Sequence, residues 1–177
     1  MPDAILGIDP GVKSGWAVVT YERQPRLLGY GTHVLPDAAE DVTPVRMETG
    51  RIERARVLAS VEGGRVIGAF IEDQYVGVNF RSSLKTPRRA GRWELACQLA
   101  GIHPQWIMPA TWQEATLHRF MQRGRAKRTE RKRAAQQYCE AIFGVHLTQD
   151  EADAAVLAAY GAMVIRMTEA CRRASHG

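Results

Sequence analysis

Apolar residues run unbroken through AILGI before Asp9, Pro10 and Gly11, the pattern of a buried strand over 4–11 stopped by turn residues. GWAVVTYE (15–22) predicts a second strand joined to the first by a tight hairpin, and RLLGYGTHVL (26–35) a third. Between residues 43 and 61 the apolar positions Met47, Ile52, Ala55, Leu58 and Ala59 suit a helix, which Gly63 and Gly64 end. RVIGAFIED (65–73) is a fourth strand, apolar up to its two terminal acids. Within 81–100 a helix is expected after Pro87, with Trp93, Ala96, Cys97 and Ala100 on one face, and Gly101 caps it. PQWIMP (104–109) is a short fifth strand, and helices are expected over 110–122, 129–143 and from 148 to about 173. RGRAK (123–127) is the only stretch with the character of a mobile loop. Three strands, a helix, then alternating strand and helix predict an α/β fold, a mixed five-stranded sheet flanked by helices. No repeat or linker divides the 177 residues, so one domain over 1–177 is expected.

Composition adds exclusions. Apolar residues make up 45% and charged residues 24%, an ordinary globular mixture. No unbroken apolar run approaches the roughly 18 residues needed to cross a bilayer, and MPDAILGID lacks the basic-then-apolar order of a secretory leader. Cys97, Cys139 and Cys171 are an odd set without paired spacing, as expected of idle thiols in a reducing cytoplasm.

The net charge of +5 is unevenly spread. Residues 1–80 carry 8 basic and 11 acidic side chains, residues 81–133 carry 13 and 3, and residues 134–177 carry 3 and 5. The whole excess lies in the middle third. A solvated helix face normally mixes signs, whereas 118–133 has one acid among eight bases. A stretch so concentrated is the footprint of a phosphate-backbone binder. Its candidate contacts are Arg81, Lys85, Arg88, Arg89, Arg123, Arg125, Lys127, Arg128 and Lys132.

Carboxylates at the ends of apolar runs supply the candidate chemistry. Asp9 ends the expected central strand, where its charge would be costly to bury without a cation; starting a turn before Pro10 is its structural role otherwise. Glu72 closes the fourth strand, and Asp73 must point to the other face because strand side chains alternate. Asp150 and Asp153, three apart, share one face of the first turns of the last helix. Capping by Thr148 or Asp150 accounts for one acid there, but not for a cluster with Glu151. Four carboxylates from three remote segments converge only around a multivalent cation, and hard oxygen donors select magnesium or manganese over zinc. Two such ions roughly 3.5–4 Å apart clamp the attacking and leaving oxygens of a phosphoryl displacement. Beside a basic surface, this is the chemistry of a nuclease.

ILGIDPGVKSGWAVV, IEDQYVG and DEADAAVLA resemble, in order and spacing, the three acidic motifs of the RuvC-type Holliday junction resolvases of the ribonuclease H-like superfamily. The resemblance spans residues 4–165. It implies a ribonuclease H-like fold and a homodimer that resolves four-way DNA junctions by paired, metal-assisted phosphodiester hydrolysis, leaving 5′-phosphate ends. It places Asp9, Glu72, Asp150 and Asp153 as ligands of two Mg2+ ions, with Mn2+ able to substitute. Lys132 matches a lysine near the scissile phosphate, and Tyr75 an aromatic that stacks on a base at the junction centre. A half-buried strand-end ring is the structural alternative for Tyr75, and one more charge in a basic run that for Lys132.

The chain also departs from the family pattern. Residues 112–132 are longer and richer in arginine than in typical cellular members, as a phage-type relative would allow, and Thr111-Trp112-Gln113 stands where a second lysine is usual. Trp112 is expected in helix core rather than on a base. The apolar face of the helix over 87–100 is the candidate dimer interface. Two rival readings remain. The GIDPGVKSG turn also fits an actin-like kinase, but 177 residues cannot hold the second lobe. A non-catalytic branched-DNA-binding protein of the same fold is the other.

Overall fold

The computed structural model describes residues 2–11, 13–34, 43–73, 85–121 and 128–175. Its strands are β1 (Ala4–Asp9), β2 (Lys13–Thr20), β3 (Leu27–Val34), β4 (Val66–Glu72) and β5 (Pro104–Ile107). Its helices are α1 (Thr43–Val61), α2 (Lys85–Leu99), α3 (Pro109–Leu117), α4 (Arg128–Phe143) and α5 (Gln149–Ala174). The sheet order β3-β2-β1-β4-β5 puts β1 at the centre. β1 is antiparallel to β2 and parallel to β4, which is parallel to β5. This is the expected mixed sheet of ribonuclease H-like type.

Alternation along the strands sorts the core into two layers. Leu6, Ile8, Trp16, Val18 and Ile71 pack with Ile52 and Ala55 of α1 and with Trp93, Ala96 and Cys97 of α2. Ile5, Ala17, Val19 and Phe70 face α5, with Trp112 and Leu117 of α3 and Ala134, Ala135 and Cys139 of α4 in the same layer. α5 lies almost on the backbone of the sheet: a β-carbon on Gly7 would come 2.1 Å from the Ala154 carbonyl oxygen. The small residues Ala152, Ala154, Ala155, Ala158 and Ala162 make that approach possible, and each is fully buried.

The structure corrects several expectations. Trp93, Ala96 and Cys97 are fully buried, so that face of α2 is core and not a docking face. Leu95 and Leu99 are the exposed apolar residues of α2. α3 begins at Pro109, whose fixed φ suits the first helical position, and ends at Leu117, five residues before the expected 122. β1 ends at Asp9 and β2 begins at Lys13, so the turn between them lies two residues earlier than expected. By length and mean hydropathy, α5 could cross a membrane, although no unbroken apolar run in the sequence suggests it. Ten alanine-rich residues from Ala152 to Ala162, all but Asp153, are buried between the sheet and helices α3 and α4 and account for that apolarity. α5 is the core helix of this fold.

Candidate active site

Asp9 and Glu72 end adjacent parallel strands, where open α/β sheets place their ligands. In register Ile8 faces Ile71, so the two acids follow one another off the sheet side by side. Asp9 shares the face of Ile5, and Glu72 that of Phe70, so both point to the α5 layer. Asp73 takes the other face, and its backbone N–H donates to the Ile107 carbonyl at 2.9 Å.

The start of α5 completes the group. Asp9 pairs with Gly15 on β2, and a β-carbon on Gly15 would come 1.9 Å from the Asp150 carbonyl oxygen. Only glycine lets the helix start so close to the sheet. Thr148 caps the helix: its backbone N–H and hydroxyl meet Glu151 Oε2 at 3.0 and 2.6 Å. The capping role thus absorbs Glu151 and leaves Asp150 and Asp153 to the sheet side.

The charges of these residues act on one another. Burial holds the Asp9 carboxyl well above the usual carboxylate range, and the charges of Glu72, Asp153 and Asp150 push it the same way. A hydrogen bond from the Gly11 backbone works against them. Glu72 is pushed up to about 7, first by burial and then by Asp153, and the Trp112 indole N–H opposes this. That N–H donates to Glu72 Oε2 at 3.1 Å. Burial lifts Asp153 to about 6; Asp150 adds to the lift, while a hydrogen bond from Gln149 and the charge of Lys132 oppose it. Among the described residues, Lys132, on the first turns of α4, is therefore the cation whose charge acts on Asp153.

Four mutually repelling carboxylates with only oxygen donors fit hard divalent cations, which would neutralise the group. Among the described residues no three carboxylate, His or Cys groups stand close enough together to hold a metal ion. The donor set still suits an ion that takes water or phosphate among its ligands.

The phosphate-contact candidates are divided. Tyr75, Arg81, Arg123, Arg125 and Lys127 lie outside the described residues, as does the expected mobile loop. Lys85 and Arg88 fall in α2 and Arg128 opens α4. Arg89 is only 3% exposed, and a guanidinium so buried does not reach a phosphate backbone; this corrects its expected role. Two hydrogen bonds go unannounced by the sequence. Trp112 is core, as expected, yet it also donates to Glu72. Gln113 Oε1 accepts from Arg131 Nη1 at 3.3 Å, tying α3 to α4 one residue before Lys132. Helical spacing signals the burial of Trp112, but nothing in the sequence signals its partner.

No family model matches the sequence, and no curated protein matches it significantly. Solved structures do match. Thermus thermophilus RuvC in complex with a Holliday junction substrate superposes with a TM-score of 0.71 at 21% identity, over 94% of this chain and 96% of that one. This chain has a RuvC-type fold. A second Thermus thermophilus RuvC structure gives 0.69 at 21% identity, over 93% and 96%. The yeast mitochondrial Holliday junction resolvase Ydc2 gives 0.51 at 12% identity, over 90% of this chain and 78% of that one. The likeness to RuvC therefore runs through nearly the whole of this chain and of the Thermus thermophilus protein.

Proposed function

We propose that the chain is a metal-dependent endodeoxyribonuclease that resolves four-way DNA junctions by paired phosphodiester hydrolysis, leaving 5′-phosphate ends. The observation that carries this reading is the placement of Asp9 and Glu72 at adjacent strand ends beside the start of α5, which bears Asp150 and Asp153, with Asp9, Glu72 and Asp153 each pushed up by burial and by another acid. A structural role explains one buried acid, but not a repelling set drawn from three segments.

Asp9, Glu72, Asp150 and Asp153 would hold two Mg2+ ions, or Mn2+ in their place. Bound there, the ions supply positive charge to the attacking and leaving oxygens of an in-line displacement. Lys132 adds its charge beside the phosphate, where the pentacovalent transition state gathers negative charge. The arginine-rich stretch, with Lys85, Arg88 and Arg128, holds the DNA backbone. Tyr75, three residues beyond Glu72, stacks on a base at the junction centre. A junction offers two equivalent strands, so paired cleavage calls for a two-fold homodimer with one site in each subunit. The enzyme works as one domain in a reducing, cytoplasmic compartment, a setting that the three free cysteines suit.

The test is a synthetic four-way junction incubated with Mg2+ and, in parallel, with EDTA. Symmetric nicks on opposing strands in Mg2+ alone are expected. Tight junction binding with no nicks in Mg2+ or Mn2+ would instead support a non-catalytic branched-DNA-binding protein.

A further inference from the structure

We infer that Trp112 is a positioning residue for the metal site, its indole N–H fixing the Glu72 carboxylate in the orientation that ligates. The inference rests on the metal-site reading above. Trp112 is fully buried, and its Nε1 lies 3.1 Å from Glu72 Oε2. Need of a partner does not by itself explain the contact. The indole nitrogens of Trp16 and Trp93 are also buried, and among the described residues neither has a hydrogen-bond partner. Among the described residues, the indole N–H of Trp112 thus differs from those of Trp16 and Trp93 in meeting a candidate ligand.

The surroundings make the contact rigid. Glu72 is in register with Ile107 on β5, and the Ile107 carbonyl accepts the next backbone N–H, that of Asp73, at 2.9 Å. Two residues later Pro109 opens α3, and the Thr111 N–H closes its first turn on the Met108 carbonyl at 3.0 Å. Trp112 follows at once, its ring in the same core layer as Ala134 and Ala135 of α4. The end of β4, the end of β5 and the first turn of α3 thus form a closed unit. Its backbone sets where the Glu72 chain ends, and its indole sets how the carboxylate is turned. A charge-assisted hydrogen bond to one carboxylate oxygen is directional, and outer partners of this kind set ligand geometry at metal sites.

The test replaces Trp112 with Phe and, as an isostere, with benzothienylalanine, which keeps the two-ring shape but has sulfur in place of N–H. Mn2+ binding is measured by electron paramagnetic resonance without DNA, beside thermal stability and junction affinity without divalent ions. Both variants are expected to bind Mn2+ about 10–100-fold more weakly, the usual cost of removing such an outer partner. Junction affinity should be unchanged, and at fixed Mg2+ kcat should fall without a change in KM for the junction. Glu72→Gln should abolish the same Mn2+ binding. If the isostere lowers only thermal stability and binds Mn2+ like the wild type, Trp112 is packing and the inference fails, while the metal site stands. If the wild type binds no Mn2+, or Glu72→Gln binds it undiminished, the metal-site reading falls and this inference with it. Should the Phe variant not fold, the isostere decides.

Discussion

The carbonyl oxygen of Asp150 occupies the space where a side chain on Gly15 would begin, 1.9 Å from the position of its β-carbon. Gly15 is paired with Asp9 across β1 and β2, so this one backbone approach sets the distance between the strand acid and the helix acids. The Asp150 carbonyl is backbone, which cannot swing aside as a flexible side chain can.

Gly15→Ala is therefore expected to push the start of α5 off the sheet. Overpacking of this kind costs typically about 1–3 kcal/mol, and the displaced Asp150 and Asp153 should cost more in cleavage than in stability. Thermal melts and junction-cleavage rates compared side by side check this. Wild-type cleavage by Gly15→Ala would show that the helix acids do not need this placement.

The metal-free protein should be more stable in mild acid than at pH 8. Glu72 is pushed up to about 7 and Asp153 to about 6, and Asp9 is raised as well, all above their ordinary carboxylate values. A group raised in the folded state favours folding while protonated, and that advantage is lost as pH rises from the ordinary carboxylate range through the folded value. Glu48, buried on α1 and pushed up to about 7, acts with the same sign. His33, lowered by burial and by Arg51 and Arg92, acts oppositely, but only below its ordinary value near 6.5. Melts without divalent ions should thus fall in temperature between about pH 5.5 and pH 8. At pH 8, Glu72→Gln should melt higher than the wild type, by about 2–4 °C for each kcal/mol of repulsion relieved. A wild type that melts higher at pH 8 without metal would contradict the buried, repelling cluster.

Most of this architecture is legible in the sequence because its cues are local. Unbroken apolar runs mark β1 and β4, glycines end α1 and α2, and Thr148, one of the two caps the sequence offers, opens α5. The site acids stand out for a related reason: each terminates an apolar run or opens an apolar helix. What escapes is relational. Trp93, Ala96 and Cys97 form an apolar stripe that reads equally as core or as interface, and only the placement of α1 decides for core. Arg89 belongs to a basic stretch by composition, yet its helical phase turns it inward. The Trp112–Glu72 hydrogen bond joins residues 40 apart in sequence, and no pattern along the chain encodes that pairing.

Replacing Arg123, Arg125, Lys127 and Arg128 together with Ala should weaken binding to junction and duplex DNA alike. Cations that meet phosphate carry no sequence information and release counter-ions. The slope of log K against log salt should flatten by roughly 0.9 for each duplex phosphate that is no longer neutralised. Binding titrations at several salt concentrations measure it. An unchanged slope would mean that this segment does not face the DNA.

The account turns on whether Asp9, Glu72 and Asp153 serve cleavage rather than binding or folding. The direct measurement is junction affinity and junction cleavage in Mg2+ for Asp9→Asn, Glu72→Gln and Asp153→Asn, each beside the wild type. Removing a negative charge near phosphates should leave affinity equal or higher, since like-charge repulsion is relieved. Each variant is expected to bind the junction as tightly as the wild type, or tighter, and to leave it uncut. Cleavage at the wild-type rate by Asp9→Asn would contradict the account.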